Sequence, residues 1–253
     1  MLAEQRRALI LEVLADKGSV SVGELHRRLD VSRETIRRDI TRLAGQDRLH
    51  KTHGGALSRS AVEPTFDERR TVNIDGKRAI GRLAATLVPD GASVIIDSGT
   101  TTSHVAEALS GRRRLTIYTN DVRTALRLAG HNDNRVHLLG GELVGAEGAT
   151  VGRDATAMMG TYFADFAFVG VSALSSQPWL MDYDREAAAL HGLMLGQART
   201  PVLLADHTKF GRTAPVRVDN LDKVTHFVVD RRPTGDMAAA LASLDADLLV
   251  ADG

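Results

Sequence analysis

Residues 32–57 read SRETIRRDITRLAGQDRLHKTHGGAL, and this stretch decides how the amino-terminal part of the chain folds. Ser32 is a good N-cap, because its hydroxyl can accept a hydrogen bond from a free amide of the first helical turn. Gly45 stands where a helix of about a dozen residues would end. The stretch therefore predicts a helix over residues 33–44, followed by a short β-ribbon.

The predicted helix has one apolar face and one basic face. At about 100° per residue, Ile36, Ile40 and Leu43 fall in one narrow stripe. The opposite face and its flanks carry charged and hydroxyl side chains: Glu34, Thr35, Arg37, Arg38, Thr41 and Arg42. Guanidinium groups bind guanine edges and phosphates, which favours DNA as the partner. For this helix taken alone, the alternative is an ordinary solvated surface.

The preceding segment favours DNA binding. Residues 22–29 predict a short helix capped by Ser21, and only two residues separate it from Ser32. Two helices joined by a tight turn, with the second one basic, are typical of a helix-turn-helix. Residues 3–16 predict a first helix that completes a three-helix core, and residues 19–20 predict a short strand that pairs with the ribbon.

The ribbon itself predicts a wing. Gly54 and Gly55 would supply the positive φ angles of its turn, and Lys51 and His53 would lie beside the DNA backbone. His50 and His53 could instead bind zinc, but without cysteine or further clustered ligands we expect no metal site. The residues predicted to contact DNA are Ser32, Arg33, Thr35, Arg37, Arg38, Arg42, Lys51 and His53.

The composition supports two domains of different character. The chain has 253 residues, of which 43% are hydrophobic, and no cysteine. Residues 1–57 carry eleven Lys and Arg against eight Asp and Glu, a net charge of +3, whereas the remainder carries −3. A basic amino-terminal segment, which we call the head, and an acidic remainder, which we call the body, fit a DNA-binding domain joined to another domain. No apolar run approaches the length of a membrane span, so we expect a cytoplasmic protein without structural disulfides.

We predict a winged helix-turn-helix over residues 1–57, a polar linker over residues 58–75 and an α/β domain over residues 76–253. In the α/β domain, short continuous apolar runs alternate with helical patterns, which is typical of a parallel sheet between two helix layers. The predicted strands are residues 93–96, 115–118, 136–139, 166–169, 202–205 and 226–229. The predicted helices are residues 77–87, 103–109, 122–128, 185–195 and 236–244.

The turn after the first predicted strand suits a phosphate. It consists of polar residues and one glycine: Asp97, Ser98, Gly99, Thr100, Thr101 and Thr102. In open parallel sheets, ligands collect at the carboxyl ends of strands, where free amides are available. Glycine permits close approach of the backbone, and hydroxyls donate further hydrogen bonds. The alternative is that this turn merely caps the next helix.

Turns after other predicted strands add polar or glycine residues to the same edge: Asn120, Gly140, Gly141, Asp206 and Lys209. Three carboxylates precede another predicted helix: Asp182, Asp184 and Glu186. Asp184 could equally be the N-cap of that helix. Trp179, the only tryptophan, could line the pocket, although the core is its default location. The convergence of these turns predicts an effector-binding pocket.

The sequence lacks several enzyme signatures, namely G-x-G-x-x-G, G-x-x-x-x-G-K-[ST], H-E-x-x-H and G-x-S-x-G. We therefore predict no catalytic residues and no cofactor. Carboxylates together with Lys209 could still transfer protons on a sugar phosphate. The alternative function is thus a sugar-phosphate isomerase or deaminase that carries a DNA-binding head.

These residues together resemble the DeoR family of transcriptional regulators over nearly the whole chain. The head resembles the family's winged helix-turn-helix through Val31-Ser32, Thr35-Ile36-Arg37-Arg38-Asp39 and His53-Gly54-Gly55-Ala56. The body resembles the family's sensor domain through Asp97-Ser98-Gly99-Thr100-Thr101, Thr119-Asn120, Gly140-Gly141, Phe168-Val169-Gly170 and Asp206 with Lys209-Phe210-Gly211. The resemblance implies a repressor, usually of carbohydrate catabolism genes, that responds to a phosphorylated sugar or related metabolite. It also implies a sensor domain with the fold of ribose-5-phosphate isomerase that is not normally catalytic.

Two details refine this resemblance. Leu180-Met181-Asp182-Tyr183-Asp184 looks closer to the family's glycerol-3-phosphate repressor subgroup than to members with Leu-Thr-Thr-Pro at this place. Leu190 and His191 stand where many members have basic residues.

We predict a repressor that acts as a homodimer or tetramer on double-stranded DNA, because one recognition helix contacts too few base pairs for specificity. An activator would differ only in its effect on transcription.

Overall fold

The computed structural model describes residues 2–17, 19–46, 48–52, 54–58, 63–177 and 180–251. The chain divides into two compact units, Met1–Glu63 and Pro64–Gly253, and each has its own hydrophobic core. His53 and Trp179, which the sequence analysis considered, lie outside the described residues.

The smaller unit is a winged helix-turn-helix. Its elements are α1 (Ala3–Lys17), β1 (Ser19–Ser21), α2 (Val22–Leu29), α3 (Arg33–Gly45), β2 (Leu49–Lys51) and β3 (Gly55–Ser58). The strands form an antiparallel sheet in the order β1-β3-β2, which confirms the predicted pairing of residues 19–20 with the ribbon. The hydroxyl of Ser21 caps α2 by accepting the Glu24 amide at 3.0 Å, and that of Ser32 caps α3 by accepting the Thr35 amide at 3.1 Å.

Gly55 is required for a reason other than the predicted one. The expectation of a positive φ at this residue is wrong, because Gly55 is the extended first residue of β3. A Cβ atom at Gly55 would lie 2.1 Å from the carbonyl oxygen of Val20, on the neighbouring strand β1. The wing therefore needs glycine so that two backbones can approach closely.

The larger unit is a doubly wound α/β domain. Its helices are α4 (Phe66–Thr71), α5 (Ile74–Thr86), α6 (Thr102–Ala108), α7 (Val122–Leu128), α8 (Arg153–Met159), α9 (Arg185–Gly196) and α10 (Gly235–Ala242). The strands of its main sheet are β4 (Ser93–Ile96), β5 (Thr116–Thr119), β6 (Arg135–Leu138), β9 (Ala164–Gly170), β12 (Ala198–Ala205), β14 (His226–Val229) and β15 (Asp247–Val250). The seven strands are all parallel, in the order β15-β14-β12-β9-β4-β5-β6.

Both faces of this sheet are buried, as the continuous apolar runs predict. Successive residues of β4 alternate between the faces, so that Val94 and Ile96 pack with α5, α6 and α7, whereas Ile95 packs with α8, α9 and α10. The fully buried carboxylates Asp97 and Asp206 consequently lie just beyond strand ends. The predicted α/β fold class with a parallel sheet is confirmed.

The structure adds elements that the sequence analysis does not predict. They are helix α8, strand β15, the hairpin of β7 (Glu142–Val144) and β8 (Ala149–Val151), and a small antiparallel sheet of β10 (Ala173–Leu174), β11 (Leu180–Asp182) and β13 (Val216–Arg217). Helix α4 lies within the segment interpreted as linker, and it belongs to the larger unit. A capping box starts α4, because Thr65 accepts the Glu68 amide while the Glu68 carboxylate accepts the Thr65 amide at 2.8 Å.

We predict that Gly55→Ala destabilises the smaller unit by about 1–3 kcal/mol, because the added methyl forces β3 away from β1. Gly54→Ala is the matched control, since a Cβ atom there would meet nothing within 4 Å. Urea unfolding of the full chain, followed by hydrogen exchange of residues 19–58, measures the effect. Equal stability of the two variants would contradict the close-approach role of Gly55.

Candidate functional site

The exposed face of α3 carries the arginines that the sequence predicts to contact DNA. The side chains of Arg33, Arg37, Arg38 and Arg42 are exposed, and Thr35 is half-buried. Glu34 lies 3.3 Å from Arg38 Nε and 4.0 Å from Arg37, so it orients both guanidinium groups without neutralising the whole face. Lys51 on the wing donates to the hydroxyl of Thr41 at 3.0 Å, which places its ammonium beside the carboxyl-terminal half of α3. The Ser32 hydroxyl serves as the cap of α3.

Helix α3 is held by a buried ion pair that the sequence analysis does not predict. Asp39 is 5% exposed, and its carboxylate lies 2.5 Å from Arg6 Nε and 3.4 Å from Arg7 on α1. A carboxylate next to the apolar stripe of Ile36 and Ile40 is the signal that could have indicated a buried partner. Helix α1 therefore fixes the orientation of the basic face.

In the larger unit, the turn after β4 offers a row of free amides. Gly99 adopts a φ of +145°, which favours glycine. The amides of Gly99, Thr100, Thr101 and Thr102 donate to none of the residues that the structure describes. The side chains of Thr102 and Ser103 are turned back onto the carbonyls of Gly99 and Thr100. Successive unpaired amides at a strand end are of the kind that can bind an anion. The side chains of Thr100, Thr101 and Thr102 are themselves buried.

Asn120, at the end of β5, fixes this turn from the neighbouring strand. Its side-chain oxygen accepts the Ser98 amide at 2.9 Å, and its amide group donates to the Ser98 hydroxyl at 3.3 Å. The same amide group donates to the carbonyl of Thr150 on β8 at 3.3 Å. Asn120 is 1% exposed, so it holds the turn by hydrogen bonds from the protein interior.

A buried histidine joins two of the predicted carboxylates. His191 on α9 places Nε2 3.1 Å from Asp97 and Nδ1 3.1 Å from Asp182. Burial alone would lower the pKa of His191, but the two carboxylates outweigh burial and raise this pKa well above 6.5. The pKa of Asp182, which burial would raise, is lowered by His191 and by hydrogen bonds that include the Ser172 hydroxyl. His191 thus supplies a cation between Asp97 and Asp182.

A second cluster lies at the ends of β12 and β14. Asp206 is fully buried, and its Oδ1 accepts the Thr208 amide at 3.0 Å and the side-chain amide of Asn73 at 3.4 Å. Its Oδ2 has no hydrogen-bond partner among the described residues. Asn73 also donates to Asp230 at 2.8 Å. Lys209, in the short 3-10 helix that follows Asp206, is 9% exposed.

The remaining predicted effector residues are placed differently. Gly140 and Gly141, after β6, are exposed, and Gly141 adopts a φ of +126°. Asp184 is the N-cap of α9, because its carboxylate accepts the amides of Glu186 and Ala187 at 2.9 Å each. Of its two interpretations, the structure supports capping, and Glu186 is exposed beside it.

Sequence reasoning missed three polar residues of this region. Asn73 stands in the segment assigned to the linker, Lys77 is nearly fully buried on α5, and Asp230 follows β14. A signal was available only for Asp230, which follows a predicted strand as Asp97 and Asp206 do. Within the described part of the chain, no group of three or more His, Cys, Asp or Glu side chains could hold a metal ion. No helix there is long and apolar enough to cross a membrane.

A winged helix-turn-helix joined to an α/β domain with a polar sheet edge defines the class of DNA-binding regulators that carry a sensor domain. The model of the DeoR-like helix-turn-helix domain matches residues 6–62, and that of the DeoR C terminal sensor domain matches residues 72–231. The chain belongs to the DeoR family of transcriptional regulators.

Full-length relatives agree with this assignment. The HTH-type transcriptional repressor CsqR of Escherichia coli (strain K12) is 32% identical over 246 residues, which cover 97% of this chain and 94% of the relative. The glycerol-3-phosphate regulon repressor of the same organism is 33% identical over 234 residues, covering 92% and 93%. The HTH-type transcriptional repressor GlcR of Bacillus subtilis (strain 168) is 29% identical, covering 100% and 98%. Among solved structures, ribose 5-phosphate isomerase a of Methanocaldococcus jannaschii is 19% identical over 55% of each chain, with a TM-score of 0.40.

We predict that His191→Gln makes the protein less stable in a pH-dependent way. Because the pKa of folded His191 lies above its ordinary value of 6.5, its stabilisation is complete below that pH and is lost as the pH rises through the folded pKa. At about pH 6 we expect a loss of about 3 kcal/mol, typical of a broken buried ion pair, which then shrinks with rising pH. Unfolding curves of the full chain at about pH 6 to 9 measure this difference.

His131→Gln is the matched control, because His131 is exposed. It should follow the wild-type stability at every pH. A difference between wild type and His191→Gln that stayed constant with pH would contradict the ion-pair role.

Proposed function

We propose that this protein is a repressor of carbohydrate catabolism genes whose affinity for its operator is controlled by a phosphorylated sugar or a related phosphometabolite. One observation carries the effector half of this proposal. Four successive amides after the carboxyl end of β4, those of residues 99–102, have no hydrogen-bond acceptor among the described residues. Neutral amides bind phosphate oxygens without needing a compensating charge. The three relatives described above are all repressors, one of them of a glycerol-3-phosphate regulon, and they support the same function.

The DNA contacts are proposed for α3 and the wing. Arg37, Arg38 and Arg42 are exposed on the face opposite the core, where they can reach base edges in the major groove. Ser32, Arg33 and Thr35 form the first turn of α3, and Lys51 and His53 would contact phosphates. A homodimer or tetramer would present two such helices to paired half-sites. Since its proposed partner is operator DNA, we infer that the protein acts in the cytoplasm.

The effector residues divide into contacts and supports. Ser98 and the amides of residues 99–102 would hold the phosphate, and Lys209 and Asp206 would meet its charge and the sugar hydroxyls. Asp97 and Asp182 are occupied by His191 and by neighbouring amides, which include that of Gly170 at 3.2 Å from Asp97. We therefore assign both carboxylates, together with Asn120, to the support of the turn.

We also propose that the sensor domain is not an enzyme. Proton transfer on a sugar phosphate needs a carboxylate that is free to accept a proton. Asp97 and Asp182 both lie 3.1 Å from the imidazole of His191, so neither is free to act as the base. Asp206 is the remaining buried carboxylate at this edge, and we assign it to the sugar hydroxyls of the effector. A binding pocket built on such fixed charges suits recognition.

We predict that Arg38→Ala weakens operator binding by about 1–3 kcal/mol, the loss expected for a guanidinium that reads a base edge. The operator can be selected by the protein from a random duplex library, and affinities are then compared at fixed salt concentration. Arg78→Ala is the matched control, because Arg78 is an exposed arginine that lies 3.7 Å from Asp75 on its own helix in the sensor domain. Unchanged affinity of Arg38→Ala would refute a base contact.

We predict that sugar phosphates, and not the corresponding free sugars or glycerol, raise the melting temperature of the protein. Ser98→Asp should weaken binding of the active compound at least about tenfold, because it places a carboxylate beside the phosphate. Ser110→Asp, on an exposed residue of the 3-10 helix Leu109–Gly111, is the control and should bind normally. The proposal fails if no phosphorylated compound shifts the melting temperature, or if the purified protein turns one over.

A further inference from the structure

Lys77 is a buried cation at the start of the sensor domain. Its side chain on α5 is 1% exposed, and Nζ donates to the backbone carbonyl of Arg69 at 2.5 Å. That carbonyl lies in the last turn of α4 and also accepts the amide of Val72 at 3.2 Å. Burying an ammonium group is unfavourable unless it is paired, so other charged groups near Lys77 must be considered as well as this carbonyl.

The charges around Lys77 come from the effector edge as well as from α4. Burial lowers the pKa of Lys77 to about 8, Asp206 acts against burial and raises this pKa, and the cations of Lys209 and Arg69 lower it further. With a pKa near 8, Lys77 is mostly charged at neutral pH, and loss of the Asp206 carboxylate would lower this pKa and so reduce the charge. Asp206 is connected onward through Asn73 to Asp230, which also accepts His207.

Helix α4 has further attachments on its other side. Arg69 forms an ion pair with Glu147 at 2.5 Å, in the turn of the β7–β8 hairpin. The ring of Phe66 packs under the guanidinium of Arg123 at 4.1 Å, and the same guanidinium donates to the carbonyl of Ala146 at 3.4 Å. Helix α4 is thus the first element of the larger unit after the unit boundary at Glu63, and it is fastened by charged groups.

We propose that Lys77 is a positioning residue that transmits the charge at the Asp206 and Lys209 edge to α4, where the chain leaves for the DNA-binding unit. This inference rests on the proposed function, in which an anionic effector occupies that edge. An anion beside Lys209 offsets the repulsion between the two ammonium groups. It therefore favours the charged form of Lys77, whose hydrogen bond to the Arg69 carbonyl is the stronger one. Effector binding would tighten α4, and loss of effector would loosen it.

The test needs neither effector nor operator. Hydrogen exchange of residues 64–73 is measured at about pH 7 in the full-length wild type, Asp206→Asn, Lys77→Met and the double variant. We expect Lys77→Met to speed exchange of the α4 amides about tenfold, the loss of one charge-assisted hydrogen bond. Asp206→Asn should speed it severalfold in the presence of Lys77 and should add nothing to Lys77→Met. Asn at position 206 still offers an oxygen to Asn73, so the cycle isolates the charge.

Asp222→Asn and Lys223→Met are the matched controls, because both side chains are exposed on the 3-10 helix Leu221–Lys223. They should leave α4 exchange unchanged. Unchanged α4 exchange in Asp206→Asn overturns the proposal, and so does an equal effect of Asp206→Asn with and without Lys77. If Lys77→Met does not fold, Asp206→Asn decides alone, with Glu147→Gln as the measure of a weakened α4. Failure of the proposed function would appear instead as the absence of any melting shift with sugar phosphates.

Discussion

The carboxyl edge of the main sheet has to accommodate buried charge, and the rest of the sensor domain depends on how it does so. Both faces of a parallel sheet are covered by helices, so polar groups are confined to the strand ends. Asp97, Asn120 and Asp206 follow strands of the main sheet, and each is no more than 1% exposed. Asp182, on β11 of the small sheet, is 2% exposed. Unpaired charge at such depth is strongly unfavourable, which explains why Asp97 and Asp182 both lie next to His191. Loop geometry at this edge therefore follows from charge pairing as much as from chain packing.

The two units solve the same problem with different partners. In the smaller unit, two arginines of α1 meet one carboxylate of α3, and the result is a fixed orientation of the basic face. In the larger unit, one histidine meets two carboxylates from different strands, and the result is a fixed position for the start of the turn after β4. Buried ion pairs of this kind add less to stability than apolar packing would, but they admit few alternative arrangements. Positional accuracy is what a recognition surface requires of its support.

The sequence predicts those parts of the structure whose signal is local. The strands at residues 93–96 and 226–229 and helix α7 appear with the predicted bounds, because apolar runs and an Asp121 N-cap mark them. Helix α8 follows Gly152, which provides no side-chain cap, and it was missed. For the candidate site, the polar turn of residues 97–102 stands out in the sequence, and its role in effector binding stays a prediction. The pairing of His191 with Asp97 could not, because it joins residues far apart in sequence whose spacing carries no pattern.

The ion pairs of Asp39 with Arg6 and Arg7 determine which part of the smaller unit can be moved into another protein. A designer who transplanted only the α2–α3 pair into another scaffold would leave Asp39 in an apolar environment without its counter-ions. Such a graft would keep the exposed basic residues of α3 and still lose the orientation of that helix. Chimeric regulators built from this protein should therefore include α1 together with α2 and α3.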